Sequence, residues 1–121
     1  MNASIVKAQG LACACIEKSV PVFIGDDHFG AELIGGTAVE IYKNLVRADE
    51  CSLSDDDERK ERKRFQREAI VGCRVLAGLI DYFYDEEEKD SLCRSVAEVR
   101  RLSAAWLRGE KKQSDQKGAG K

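Results

Sequence analysis

Between Ala69 and Tyr84 the chain reads AIVGCRVLAGLIDYFY, a stretch in which only Arg74 and Asp81 are charged. Its apolar residues recur at helical rather than alternating spacing. At 100° per residue, Phe65, Ala69, Gly72, Leu76, Leu79, Ile80 and Phe83 fall within about 60° of one meridian. Arg67, Arg74, Asp81 and Asp85 take the opposite side, with Val71, Val75 and Tyr82 on one flank and Cys73, Ala77 and Tyr84 on the other. A helix with so narrow a polar stripe either sits at the centre of a bundle or faces a second molecule.

The rest of the chain is consistent with that helix being one of several. A length of 121 residues suits one domain with a single core. With one Pro and long 3.6-residue patterns, the expected fold is all-α, a single-domain four-helix bundle-like arrangement around the third helix. The periodicity places helices near 3–18, 37–48, 55–84 and 87–108. Residues 1–108 form the helical domain and 109–121, EKKQSDQKGAGK after Gly109, a disordered polar tail.

Local signals set the boundaries. In the first helix Ile5, Ala8, Ala12 and Cys15 or Ile16 share a face, and small side chains allow another helix close approach. Pro21 biases Val20 to extended backbone, so 19–30 reads as a connection that drops Phe23 into the core. Ile34, Ala38, Ile41, Leu45 and Ala48 mark the second helix. Two starts compete for it. Thr37 with Glu40 fits a capping box, which favours a short turn at 27–34 and a main helix from 37; alternatively the helix begins after Asp26 or Asp27 and runs through Gly35-Gly36. Ser54 caps the third helix, four acids follow it, and Asp55–Arg59, Asp56–Lys60 and Glu58–Arg62 are acid-first i, i+4 pairs. In the fourth, Leu92, Val96, Val99, Leu102, Trp106 and Leu107 share a face opposite Arg94, Arg101 and Arg108.

Charge and cysteine usage narrow the setting. Net charge is −2, yet residues 1–58 carry 4 basic and 11 acidic groups and residues 59–121 carry 16 and 11. Five scattered cysteines do not form a disulfide framework; Cys13, Cys73 and Cys93 lie among apolar neighbours, where the thiol acts as a small hydrophobe. A reducing cytoplasm is the expected compartment. The apolar run Leu11–Ile16 is too short for a secretory segment, and 69–84 is too short and too charged to span a bilayer.

Motifs for chemistry are sparse. Cys13-Ala14-Cys15 is not CxxC and, on a helix, sends its thiols about 200° apart. The glycines form neither GxxxxGK[ST] nor GxGxxG, and no nucleophile signature flanks any Ser or Cys. Asp26-Asp27-His28 with Glu32 has generic spacing and only one His. The expectation is therefore a non-enzyme with no metal and no cofactor.

Two surfaces remain. Three consecutive aromatics, Tyr82-Phe83-Tyr84, span about 200° of helix, so one core cannot receive them all. With Phe83 inward, Tyr82 and Tyr84 become candidate partner-binding residues, joined by Arg94, Arg101 and Arg108, whose guanidinium groups suit an acidic partner. RKERKRFQR holds six basic residues in nine, so Arg59, Lys60, Arg62, Lys63 and Arg67 are the alternative, nucleic-acid-binding set. Against that, acids neutralise the same helix face and the pI is about 5.5. The reading is a small cytoplasmic protein-binding module, an inhibitor or regulator of immunity, antitoxin or phage-inhibitor type, whose partner is another protein or itself, with no membrane. A nucleic-acid-associated regulator using 59–67 is the alternative, and a structural or oligomer-forming helical protein the third.

Overall fold

Helical periodicity in all four segments is realised as α1 (Ala3–Val22), α2 (His28–Glu50), α3 (Asp56–Phe83) and α4 (Glu86–Ala119). The computed structural model describes residues 2–22, 28–84 and 86–119, and within them no side chain at 17–22, 28, 29, 31, 87, 88 or 111–119. Phe23, Asp26, Asp27 and the His28 side chain, singled out above, lie outside the described residues. Each helix packs on its chain neighbours and α4 closes against α1, giving an all-α four-helix bundle. Among the described residues no helix is long and apolar enough to cross a membrane.

The core follows the heptad-like sets closely in α2, where Ile34, Ala38, Ile41, Leu45 and Ala48 are all buried. Ala8, Leu11, Ala12 and Cys15 meet them from α1, and Leu92, Val96 and Val99 from α4. Leu102, Trp106 and Leu107 are half-buried, and Ser103 takes the buried position between them. Ile16 and Cys13 are exposed, so Cys13 does not act as a core residue.

Several boundaries differ from expectation. α1 continues to Val22, so Pro21 falls in its last turn rather than in a connection. α2 is one helix from His28, as in the alternative that runs it through Gly35-Gly36, and not a turn followed by a helix from 37. No capping box forms: the Thr37 hydroxyl donates to the Leu33 carbonyl 2.6 Å away. Gly35 costs helix propensity and is buried; a Cβ there would make only an ordinary contact, 3.8 Å from Ile16 Cγ1. At α3 the cap is Asp55 rather than Ser54, its Oδ1 accepting from the Asp57 and Glu58 amides at 2.9 and 3.1 Å. Ser54 instead meets Ser52, hydroxyl to hydroxyl at 2.8 Å. The first-turn ion pairing is Asp56 with Arg59; Glu58 accepts from the Ser52 amide and Arg62 is used elsewhere. α4 passes Gly109, its expected end, and runs to Ala119.

The largest correction concerns the inner face of α3. Its buried residues are Arg62, Gln66, Ala69, Cys73, Leu76 and Ile80, a line that Tyr84 continues. Relative to the expected meridian the helix is turned toward the Cys73 flank, leaving Phe65, Gly72, Leu79 and Phe83 half-buried at the edge. Gly72 explains the fit. A Cβ there would meet Ile41 Cγ1 at 2.8 Å, so the glycine lets α2 come in over that edge, opposite the Cys73 flank, while the small Ala69 and Cys73 face the centre.

Candidate functional site

With the core line of α3 fixed, its opposite meridian is dictated by the 100° step. Arg64, Val71, Val75, Gly78 and Tyr82 lie within about 40° of that outer meridian. Val71 is 61% exposed, Val75 51% and Tyr82 81%. Val71, Val75, Gly78 and Tyr82 follow the 4-3-4 spacing of a coiled-coil seam, on a helix whose inner face is already occupied. Arg67, Arg74 and Asp81, spaced by sevens, border the seam toward α4, where Asp81 holds Lys89 at 2.6 Å. Glu68 borders it toward α2.

Beside the seam an open groove of about 390 Å³ runs along the line where α2 meets α3. Gly36, Ile41, Gly72 and the apolar Leu33 and Val75 line it, while Glu32, Glu40, Asn44 and Glu68 supply acceptors. Leu33 is itself exposed. Glu40 and Asn44 both accept from Arg47, at 3.0 and 3.2 Å, which steadies that wall. The groove can take an aromatic or aliphatic side chain carrying a donor.

The expected partner residues are divided by the fold. Tyr82 stands on the seam, its ring edge-on to Phe83 with centroids 4.9 Å apart. Tyr84 does not join it: two residues further round, it is buried in the core. Arg94, Arg101 and Arg108 are exposed on α4, but Arg94 lines a groove with Val6, Lys7 and Gly10 of α1. That puts the arginine stripe on the α4–α1 side, across the bundle from the α2–α3 groove. Arg101 is paired with Glu98 at 3.0 Å. One surface does not contain both sets.

The basic run is also divided. Arg59 pairs with Asp56, and Arg64 with Glu61 at 2.5 Å and Glu68 at 3.3 Å, which holds the Arg64 pKa above its ordinary value. Lys60 and Arg67 are exposed and Lys63 is half-buried. Arg62, expected at the surface, is 8% exposed and is removed from any nucleic-acid set. Its Nε and one terminal nitrogen grip the Glu110 carboxylate at 2.5–3.0 Å. The other terminal nitrogen donates to the Ala48, Asp49 and Cys51 carbonyls at 3.1, 3.4 and 2.8 Å. Gln66 and the Trp106 indole each donate to Glu110, at 2.9 and 2.8 Å, and the guanidinium lies 5.0 Å from the Trp106 ring centroid. One arginine thus closes the C-terminal carbonyls of α2 and ties α3 to α4. Burial alone would raise the Glu110 pKa, but the donors Arg62, Gln66 and Trp106 outweigh it and hold the carboxyl below its usual range.

Nothing in these contacts assembles a reaction. Burial pushes the Cys73 thiol up to about 11, and raises Cys51 and Cys93 as well, which disfavours thiolate chemistry at these positions. Among the described residues no three His, Cys, Asp or Glu side chains gather as a metal-binding group. The chain matches no protein-family model, no curated protein and no solved structure.

Proposed function

We propose that this chain is a small cytoplasmic protein-binding module, an inhibitor or regulator of a partner protein, and that its working surface is the outer face of α3 with the α2–α3 groove. The observation that carries the reading is the seam of Val71, Val75 and Tyr82, apolar and exposed on a helix that needs none of them for its own core. A tyrosine anchor flanked by small residues and rimmed by charge suits capture of a protein surface. The odd, scattered cysteines support a reducing compartment. A nucleic-acid reading would rest on Lys60, Lys63 and Arg67, since Arg59, Arg62 and Arg64 are engaged within the fold.

Tyr82→Ala should leave helicity unchanged and weaken binding to the protein partner by about thirtyfold or more, the cost of truncating a central aromatic anchor. Arg101→Ala, on the far side, should leave affinity unaltered. A chain that binds no protein, stays on immobilised nucleic acid until moderate salt, and loses that retention on Lys60→Ala/Arg67→Ala substitution would overturn the reading.

A further inference from the structure

The outer face of α3 is complementary to itself. On the N-terminal side of Leu76 it carries Lys60, Arg67 and Arg74, with Arg64 held by Glu61 and Glu68; the apolar seam runs from Val71 to Tyr82, and beyond Ala77 come Asp81 and then Glu86 at the start of α4, which share Lys89. A parallel neighbour would set like charges level. An antiparallel one sets each half against its opposite and the apolar middle against itself. We propose that two copies of this chain pair antiparallel through the outer faces of α3, about a two-fold axis at the level of Leu76–Ala77. The proposal rests on the protein-binding reading and names the partner as a second copy.

The register is fixed by seam spacing and charge together. With Val75 opposite the partner's Gly78, Val71 falls opposite the partner's Tyr82, and two-fold symmetry repeats both contacts. Gly78 leaves open space, with nothing within 4 Å of where a Cβ would stand, so the two helices can come close at their crossing. Tyr82 of each copy then lies opposite Val71 of the other, within about one helical turn of Glu68, Gly72 and Val75, the α3 wall of the 390 Å³ groove. Its ring enters the groove and its hydroxyl donates to the Glu40 or Glu68 carboxylate at the rim. On the α4 side of the seam Arg74 reaches the partner's Asp81 twice, once from each copy, and Arg67 reaches the level of the partner's Glu86. A register shifted by one heptad keeps an apolar seam but loses the Arg74–Asp81 pairs.

Charge reversal at those two exposed positions tests the register. Arg74→Asp puts two Asp–Asp contacts in the pair, and Asp81→Arg puts two Arg–Arg contacts there; each variant alone should dissociate at least about thirtyfold more readily than the wild type. An equimolar mixture of the two should restore the pair, because every contact across the mixed pair is again Arg with Asp. Sedimentation velocity with circular dichroism reads mass and fold together, and Tyr82→Glu should also be monomeric and fully helical. A helical wild type that stays monomeric throughout the micromolar range overturns the pairing; if it nonetheless holds another protein through Tyr82, the protein-binding reading survives without it. A wild-type dimer that is unchanged by either reversal, or a mixture no more paired than its components, overturns this register.

Discussion

Leu76→Asp leaves the chain unfolded at room temperature. Leu76 is fully buried at the middle of α3, within the core cluster to which all four helices contribute. Truncating a leucine in such a place costs roughly 2–5 kcal/mol through lost burial and the cavity left behind. The carboxylate adds the cost of a buried charge with no partner, or of the proton needed to neutralise it. Against a total stability of roughly 5–15 kcal/mol for a domain, the sum removes the native state or leaves it marginal. The far-ultraviolet circular dichroism of the variant should be that of a largely unfolded chain. Val75→Asp is the internal control. One residue away but on the outer seam, it should keep the wild-type helicity, and a full loss of helix there would mean that the inner and outer faces of α3 are misplaced.

Arg62→Ala should cost about 3–5 kcal/mol, the penalty for breaking a buried pair from one side. The Glu110 carboxylate is left desolvated, and the carbonyls of Ala48 and Cys51 at the end of α2 lose their donor. Replacing both partners, as in Arg62→Met/Glu110→Leu, should destabilise far less than Arg62→Ala, because no orphaned charge remains. The pair also sets an acid limb. Because the folded pKa of Glu110 lies below its unfolded value, the stabilisation is complete above the ordinary carboxylate range and is lost as pH falls through the depressed pKa. Denaturant midpoints should therefore fall on acidification in the wild type and fall less steeply in Glu110→Gln, which begins from a lower stability.

What was legible in the sequence, and what was not, divides along physical lines. Helix number, the α2 core set and the apolar character of α3 follow from periodicity, which side chains alone determine. The rotation of α3 does not, because it depends on Gly72 admitting Ile41, a contact between helices distant in sequence. The same rotation carries Tyr84 from a flank into the core. Tyr82 stayed outward because it lies close to the meridian opposite the core. Composition places Arg62 at the surface, because arginine is rarely buried unless paired, and its partner Glu110 follows Gly109 in a strongly polar stretch. A signal was nonetheless present: the core spacing of Ala69, Cys73 and Leu76 runs back through Gln66 to Arg62, and that of Val96 and Val99 runs on through Ser103 and Trp106 to Glu110. Both periods continue into polar residues and meet there. The Ser54 and Thr37 caps failed because a neighbouring side chain or carbonyl offered the better bond.

A photoreactive benzoylphenylalanine placed at position 82, and separately at position 101, reports what touches each side of the bundle in the intact chain. Irradiation of the position-82 protein in cells should give one discrete adduct, heavier by 13.4 kDa where the partner is a second copy and by the partner's own mass where it is another protein. The position-101 protein, with its probe on the α4–α1 side, should give none. A single adduct from position 101 with none from position 82 would contradict a working surface on the outer face of α3.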